Sequence, residues 1–395
     1  MNYWEDLWQS RHHVMSRLAA RHKVLFVSPP VYIRDLLDPE KRKELPPSGL
    51  QDRSANLLSF VPPRYLFASH RIRSLNRTLA YLREVQIRRL LRNLDFQDLI
   101  LFIWNPRFAQ MLGKFGEILS CYYVDEEFSS YYGMPESEKQ QVRAREEFLL
   151  RNVDLVFANG SALLEQKGRY GNALNVPMGV DFDLFSRALR GDTAVPSDLA
   201  AIRQPRIGYI GNVNDKVDFE LLESIASTKP DWSLVLVGPL SIRTPEFRSN
   251  FERLRQLPNV YHLGLRPLET LPSYVWGLDV CLMCYRTDGW AYHGYPLKLH
   301  EYLAGGKPVV SSDLPSIREF SQVISIVRTS EEWQLAIERA LSERQSSLVD
   351  RRVQVARENT WDQRVRTIEE ALARKLAEKR SRVPVSSPEW SRKNP

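Results

Sequence analysis

The sequence predicts an α/β protein made of two doubly wound domains. Its 395 residues are enough for two domains of ordinary size, each with its own hydrophobic core. Short apolar runs alternate with helix-like segments, which is typical of parallel sheets covered by helices. This alternation stops near residue 180 and restarts near residue 206, so the chain divides into two units of similar architecture.

The first domain is predicted over residues 1–180. Its helices are expected at 4–20, 70–94 and 136–152, and its strands at 24–27, 99–104, 121–124 and 155–158. Each apolar run is followed by polar or turn residues. Such endings are expected where parallel strands deliver loops to a ligand crevice.

The second domain is predicted over residues 181–360. Its strands are expected at 206–211, 234–239, 260–264, 279–285, 308–312 and 323–327, with a helix at 331–343. A last helix is expected at 361–380. Residues 381–395 mix Ser, Pro, Arg and Lys without periodicity and are predicted to be disordered. Both domains are therefore expected to be Rossmann-like.

The composition indicates a protein of the cytoplasm. Hydrophobic residues make up 43% of the chain and charged residues 26%, and no apolar run approaches the roughly 20 residues that span a bilayer. The first residues include Glu5 and Asp6 where a secretory signal would carry basic residues before an apolar stretch.

Three cysteines cannot form a disulfide framework. Cys281 and Cys284 have the CxxC spacing of redox and zinc sites, but they lie in an apolar run that is typical of a buried strand. We therefore expect them to be core residues.

Eight arginines and a single acid, Glu84, lie between Arg64 and Arg92. The arginines alternate with leucine and isoleucine, so the segment is amphipathic as well as basic. Residues 64–92 are either a solvated helix face or a surface for an anionic membrane or glycan. No nucleic-acid recognition motif accompanies the charge, so no nucleic-acid partner is predicted.

Residues 296–310, with the sequence PLKLHEYLAGGKPVV, resemble family 4 of the GT-B glycosyltransferases. Residues 177–185 are similar to the interdomain segment of that family, residues 259–264 to a strand near the donor base, and residues 360–362 to the start of its C-terminal helix. The resemblance implies two Rossmann-like domains that face a central cleft, with a C-terminal helix that crosses back to the first domain. It also implies a retaining enzyme that takes a sugar from a nucleotide-diphosphate donor.

The resemblance places the donor in the second domain. Glu301 is expected to accept hydrogen bonds from ribose hydroxyls, with Lys298 near the diphosphate. Pro296 is expected in the first turn of a helix whose free amides face phosphate. The remaining donor-binding residues are expected to be Gly211, Asn212, Lys216, Tyr295 and Leu297.

This chain departs from the family pattern at two places. Asn212 stands where an arginine commonly follows the glycine, and Lys216 lies one position early, so it is either a phosphate ligand or a solvated lysine. His293 stands where the family often has its first glutamate. His293 could hydrogen-bond the donor sugar but cannot act as a carboxylate nucleophile.

The acceptor is expected on the first domain. Asp125 and Glu126 follow a strand and could bind acceptor hydroxyls, act as a base or cap a loop. His12 or His13 could approach the acceptor as a base or orienting group, but histidines in such positions are more often ordinary surface or packing residues.

The predicted function is sugar transfer, with retention, to a glycan or lipid-linked acceptor. No cofactor or metal is expected, because no Asp-x-Asp dyad follows a strand. A nucleotide-sugar epimerase and a non-catalytic binding or scaffold protein are the alternatives. The location is expected to be cytoplasmic, with a peripheral position on the inner face of the plasma membrane if residues 64–92 bind lipid.

Overall fold

The computed structural model describes residues 3–69, 73–189 and 193–382. A disordered tail is predicted at 381–395. Its first two residues belong to the last helix, which ends at Arg382, and residues 383–395 lie outside the described ranges. Within the described ranges, no helix is both long and apolar enough to cross a bilayer.

The first domain contains two separate sheets. Its helices are α1 (Ser10–Leu18), α2 (Ile33–Leu37), α3 (Pro39–Glu44), α4 (Arg73–Asn93), α5 (Glu136–Asn152) and α6 (Ser161–Lys167). Its strands are β1 (Val24–Val27), β2 (Gly49–Ser54), β3 (Leu57–Val61), β4 (Ile100–Ile103), β5 (Leu119–Val124), β6 (Leu155–Ala158) and β7 (Ala173–Asn175). One sheet has the order β1-β3-β2 with β2 antiparallel, and the other is parallel with the order β4-β5-β6-β7.

The second domain is built on one parallel sheet with the strand order β10-β9-β8-β11-β12-β13. Its strands are β8 (Arg206–Ile210), β9 (Ser233–Val237), β10 (Val260–Gly264), β11 (Val280–Met283), β12 (Val309–Ser312) and β13 (Ser325–Val327). Its helices are α7 (Phe182–Phe185), α8 (Ser197–Ala200), α9 (Phe219–Thr228), α10 (Pro245–Leu254), α11 (Leu271–Gly277), α12 (Gly289–Tyr292), α13 (Lys298–Ala304), α14 (Ser330–Ser342) and α15 (Ser346–Arg357).

The final helix, α16 (Trp361–Arg382), returns to the first domain. Its apolar face joins the same core cluster as α1 and β5, through Trp361, Ile368 and Leu372. The chain crosses between the domains at Val180 and again at Thr360. The two crossings are hydrogen-bonded to each other, since the Val180 amide donates to Asn359 O at 2.9 Å and the Trp361 amide to Val180 O at 3.1 Å.

The predicted fold class is confirmed, and several element bounds are corrected. Residues 64–92 do not form one helix, because Arg64–Leu66 is a separate 3-10 turn before α4. The first helix covers only Ser10–Leu18 of the predicted 4–20. The sequence does not predict the hairpin of β2 and β3, because the β2 sequence is polar and its residues alternate between half-buried and exposed. The three cysteines are free and buried, as predicted.

Candidate functional site

A cleft of about 2640 Å³ is lined by residues of both domains, including those that follow the carboxyl ends of β5, β8 and β9. This is the edge of a parallel sheet where loops and helix starts converge, and therefore the usual place for a ligand. The cleft is lined by all the residues predicted to bind the donor: Gly211, Asn212, Lys216, Tyr295, Pro296, Leu297, Lys298 and Glu301.

Two glycines at the ends of β8 and β9 bring backbone and side chains unusually close together. A Cβ atom on Gly211 would lie 1.7 Å from Cε of Lys298, and a Cβ on Gly238 would lie 1.9 Å from Gly211 O. Both residues have a positive φ that other residues rarely adopt. Gly211 therefore makes room for the Lys298 side chain, and Gly238 makes room for the backbone of Gly211.

Lys298 and Glu301 lie one helical turn apart on α13 and both face the cleft. Neither side chain forms an ion pair with any of the described residues. Burial lowers the pKa of Lys298, and the charge of Glu301 opposes that shift. Burial raises the pKa of Glu301, which is only 8% exposed, and the charge of Lys298 opposes that shift. Two opposite charges held apart in a partly desolvated cleft indicate a binding site rather than a stabilising pair.

The start of α13 differs from the prediction. The helix begins at Lys298 with Leu297 as its N-cap, so Pro296 precedes the first turn instead of forming it. Because α13 has only seven residues, its dipole is a small contribution. We therefore base the anion site on Lys298 and the adjacent glycines.

Tyr295 and Asn212 line the cleft but use their side chains inside the second domain. The Tyr295 ring is buried, and its hydroxyl lies 2.7 Å from Nε2 of His300. Asn212 accepts a hydrogen bond from the Ser241 hydroxyl. Both residues are therefore placed to support the cleft wall.

Lys216 crosses the cleft to the first domain. Its Nζ lies 2.8 Å from Oε1 of Glu126 and 3.9 Å from the centre of the Trp290 ring. Glu126 also accepts a hydrogen bond from the Tyr131 hydroxyl. The lysine is therefore not simply solvated, and a diphosphate would have to compete with Glu126 for it.

Asp125 is a buried carboxylate on the first-domain side of the cleft. Its Oδ2 accepts a hydrogen bond from the Ser10 hydroxyl at 3.1 Å. Burial, assisted by the charge of Glu126, raises the pKa of Asp125 to about 7, although Arg11 opposes the shift. A carboxyl group that titrates near neutral pH is suited to proton exchange.

His293, predicted to contact the donor sugar, is not brought together with the residues predicted to bind the donor. Its Nδ1 accepts a hydrogen bond from the Gln166 amide of α6 at 3.0 Å, and its side chain does not line the cleft. Burial lowers its pKa. The residue of this loop that contacts Lys216 in the cleft is Trp290.

The two histidines of α1 have packing roles. His12 accepts the Gln9 amide at Nδ1 and lies 3.2 Å from Tyr3 O through Nε2, and burial lowers its pKa to about 4. His13 stacks on Trp361 at 4.8 Å, and burial lowers its pKa to about 3. Both rings are therefore neutral at physiological pH.

Two cleft cations are not identifiable from the sequence. Arg11 on α1 is buried beside Asp125, and its Nε has no hydrogen-bond partner among the described residues. Arg243 lies in the loop after β9 and is exposed on the cleft wall. Neither arginine belongs to a recognisable motif, so no sequence signal marks it.

Part of the chain matches a protein-family model, and its fold is similar to that of solved structures. Residues 204–343 match the family model described as glycosyl transferases group 1. Three solved structures superpose on nearly the whole chain. Sucrose-phosphate synthase from Thermosynechococcus elongatus has a TM-score of 0.68 at 16% identity and covers 93% of this chain and 92% of its own.

The other two structures are similarly distant in sequence. The E. coli structure described as trehalose-6-phosphate bound with UDP-2-fluoro glucose has a TM-score of 0.67 at 14% identity, over 95% of this chain and 98% of its own. A glycosyltransferase from Rickettsia africae ESF-5 has a TM-score of 0.62 at 13% identity, over 93% of this chain and 94% of its own. The chain has the GT-B fold.

A sequence relative matches part of the GT-B chain more closely. The putative teichuronic acid biosynthesis glycosyltransferase TuaH of Bacillus subtilis (strain 168) is 34% identical over 142 residues. The match covers 36% of this chain and about a third, 34%, of the relative's length. The resemblance to GT-B glycosyltransferases is thereby confirmed.

We expect Glu301→Ala to weaken nucleoside-diphosphate binding by about thirty- to a hundredfold. Losing two charge-assisted hydrogen bonds to ribose costs about 2–3 kcal/mol. Isothermal titration calorimetry with UDP and GDP measures the change. The matched control is Glu370→Ala on the exposed face of α16, which should bind like the wild type. Equal affinities for Glu301→Ala and the wild type would remove Glu301 from the site.

We expect the ion pair between Lys216 and Glu126 to oppose donor binding. Glu126→Gln should therefore strengthen nucleoside-diphosphate binding, and Lys216→Met should weaken it, each by about fivefold, since a partly exposed pair contributes about 1 kcal/mol. The same calorimetry measures both variants. If Glu126→Gln leaves the affinity unchanged while Lys216→Met lowers it, Glu126 does not compete with the diphosphate for Lys216.

Proposed function

We propose that this chain transfers a sugar from a nucleoside-diphosphate sugar to a glycan or lipid-linked acceptor of the cell envelope, with retention at the anomeric carbon. The observation that carries the proposal is the unpaired Lys298 and Glu301 beside Gly211 and Gly238. A nucleoside diphosphate supplies the groups that both side chains lack, namely ribose hydroxyls for the carboxylate and phosphate oxygens for the ammonium.

Lys298 is suited to stabilise the leaving group of such a reaction. Negative charge develops on the diphosphate as the bond from the sugar to phosphate breaks, and a preorganised ammonium in a partly desolvated cleft stabilises that charge. Lys216 would add a second cation once it leaves Glu126. We propose that these cations neutralise the diphosphate without a metal ion.

Retention is proposed to follow front-side attack. The acceptor oxygen bonds to the anomeric carbon on the face from which the phosphate departs, and a phosphate oxygen takes the hydroxyl proton. This route needs orientation and charge stabilisation more than a protein nucleophile. We propose that Asp125 orients the acceptor hydroxyl, and that His293, whose ring is hydrogen-bonded to Gln166, has no part in this step.

The names of similar proteins support the substrate classes. The E. coli structure is described with a uridine-diphosphate sugar analogue, and the Bacillus relative is described as a glycosyltransferase of teichuronic acid biosynthesis. The cleft, about 2640 Å³ in volume and lined by residues of both domains, has room for a glycan acceptor.

The test is sugar transfer by the purified protein. UDP- and GDP-linked sugars are incubated with candidate glycan and lipid-linked acceptors, and the anomeric configuration of the product is read by NMR. The proposal expects release of nucleoside diphosphate and a product that keeps the donor configuration, both lost in Glu301→Ala. An epimerised donor without transfer would favour the epimerase, and donor binding without turnover would favour a non-catalytic protein.

Activity is expected to depend on the protonation of Asp125. Because its pKa is about 7, the ionised form that accepts a hydrogen bond from the acceptor hydroxyl accumulates as pH rises through 7. We expect kcat/KM for the acceptor to rise over this range, and Asp125→Asn to remove the rise and lower the rate by about a hundredfold.

The same pKa predicts an opposite trend in stability. Because the folded pKa lies above the ordinary value of about 4, the stability that protonated Asp125 contributes is present below pH 4 and lost as pH rises through 7. The melting temperature of Asp125→Asn, relative to that of the wild type, should therefore increase from pH 5 to pH 8. In the activity measurement, a rise of kcat/KM for the acceptor that persists in Asp125→Asn would show that a group other than Asp125 controls the pH dependence.

We also propose that α4 rests on the anionic, cytoplasmic face of the plasma membrane. Its outward face exposes the apolar side chains Leu75, Tyr81, Leu82 and Val85. Arg77, Arg89 and Arg92 are exposed around them. Apolar side chains flanked by arginine are the composition of helices that lie in a membrane interface.

Not every arginine of residues 64–92 is available for this contact. Arg83 is buried and donates to Leu66 O at 2.8 Å, and Arg88 donates to Lys114 O at 2.6 Å. Arg71 lies outside the described residues. The test therefore uses the three arginines on the exposed face.

Changing Arg77, Arg89 and Arg92 together to Gln should release the protein from anionic vesicles. Each arginine contributes about 1 kcal/mol near an anionic surface, and the attraction falls as salt rises. Co-sedimentation with phosphatidylglycerol vesicles at low and high salt measures binding. The control changes the exposed Arg339, Arg366 and Arg374 to Gln. A wild type that remains in the supernatant at low salt would contradict the membrane contact.

A further inference from the structure

Arg11 is a buried guanidinium in the wall of the cleft. It lies in the first turn of α1, and only 7% of the residue is exposed. One of its terminal nitrogens donates a hydrogen bond to Oε1 of Gln9, which carries no charge. The guanidinium forms no ion pair with any of the described residues, and its Nε has no hydrogen-bond partner among them.

A charge in this position is costly unless an anion pairs with it. Burial lowers the pKa of Arg11, since the desolvated cation is disfavoured. A buried cation ordinarily has a direct partner that repays this cost. The planar fork of an arginine matches the two oxygens of a carboxylate or of a phosphate. The free Nε of Arg11 therefore indicates that a ligand supplies the anion.

The position of Arg11 associates it with the acceptor. The preceding residue, Ser10, donates its hydroxyl to Oδ2 of Asp125 at 3.1 Å. The first turn of α1 is thereby joined to the carboxylate that we propose to orient the acceptor hydroxyl. An anion bound by Arg11 would therefore lie close to the accepting hydroxyl.

A second free arginine faces the same part of the cleft from the other domain. Arg243 is exposed in the cleft wall, and its side chain has no ion pair or hydrogen bond to any residue that the structure describes. Its backbone amide donates to Oδ1 of Asp215 at 2.9 Å, which holds the loop in place. Burial raises the pKa of Tyr131, and the charge of Arg243 opposes that shift. Tyr131 also interacts electrostatically with Arg11, so both arginines lie within reach of one tyrosine.

We propose that the acceptor sugar carries an anionic group, a carboxylate or a phosphate, which binds between Arg11 and Arg243 while its hydroxyl faces Asp125. The inference rests on the proposed function, because the anion is part of the acceptor. One arginine comes from each domain, so the anion contacts both walls of the cleft. A neutral sugar is bound poorly, because it leaves the buried charge of Arg11 unpaired.

The competing explanation is that Arg11 serves only as a counter-ion for nearby carboxylates. The charges of Asp125, Glu126 and Asp6 all oppose the lowering of its pKa by burial. None of the three forms an ion pair with it, and Glu126 is already paired with Lys216 at 2.8 Å. A counter-ion affects every acceptor alike, whereas an anion site distinguishes acceptors by their charge. The test uses this difference.

The probes are three sugars that differ only at one carbon: a methyl glycoside, the uronic acid of that glycoside and its 6-phosphate. Each is prepared in the gluco, galacto and manno configurations. Binding to the protein loaded with UDP or GDP is measured by calorimetry, so the result does not depend on turnover. The pH is held about two units above the Asp125 pKa of about 7, so that a change in this pKa does not affect the comparison.

Four variants are compared with the wild type. Arg11→Gln and Arg243→Gln should each weaken binding of the charged probes by about tenfold or more and leave the neutral glycoside unaffected. Arg11→Lys keeps the charge without the fork and should have an intermediate effect. The matched control is Arg21→Gln, because Arg21 lines the same cleft but is paired with Glu369 at 2.5 Å. Arg243 is exposed, so its variant remains informative if Arg11→Gln lowers the melting temperature.

The proposal expects the wild type to bind a charged probe at least about tenfold more tightly than the neutral glycoside, and the tighter of the two charged probes distinguishes a carboxylate from a phosphate. Equal affinity for all three probes, or binding of none, would overturn the proposal. An equal loss for all three in Arg11→Gln would also overturn it, in favour of the counter-ion. Charged probes that bind through both arginines without any sugar transfer would support this site and contradict the proposed function instead.

Discussion

The arrangement of the second domain depends on the contact between Lys298 and the backbone at Gly211. The side chain occupies the volume that any Cβ atom at residue 211 would need, and the backbone of Gly211 in turn leaves no room for a side chain at residue 238. The close approach of the two backbones requires glycine at residue 238, and glycine at residue 211 lets the Lys298 side chain lie against the strand end. Glu301 lies one helical turn beyond the lysine on α13 and lines the same cleft.

The two sides of the cleft are connected through charge. Lys216 of the second domain contacts Glu126 of the first, and Glu126 adjoins Asp125, whose pKa is raised to about 7 by burial and by that neighbouring charge. A diphosphate that draws Lys216 away would leave Glu126 uncompensated beside Asp125. Binding at the donor side should therefore change the electrostatics of the acceptor side without movement of either domain core.

The donor side is predictable from sequence because its chemistry is local. Lys298 and Glu301 lie in one short motif on one helix, and Gly211 ends a strand, so spacing along the chain corresponds to distance in space. The position of His293 outside the cleft is not predictable, for the opposite reason. His293 lies eight residues before Glu301 in the chain, but its ring is hydrogen-bonded to Gln166, which is 127 residues away.

The first domain is predictable in class but not in detail. The apolar runs of β4, β5 and β6 are recognisable, whereas the polar hairpin strand β2 carries little hydrophobic signal. Likewise, Arg11 and Arg243 acquire significance only from the cleft that they line.

A crystal structure with a bound nucleoside diphosphate, UDP or GDP, tests the central claim most directly. We predict the ribose hydroxyls within hydrogen-bonding distance of Glu301 and a phosphate oxygen within about 3 Å of Lys298 Nζ, beside the backbone of Gly211 and Gly238. Lys216 should have turned from Glu126 toward the diphosphate. A nucleotide bound elsewhere in the cleft, with Lys298 and Glu301 both free of it, would contradict the account.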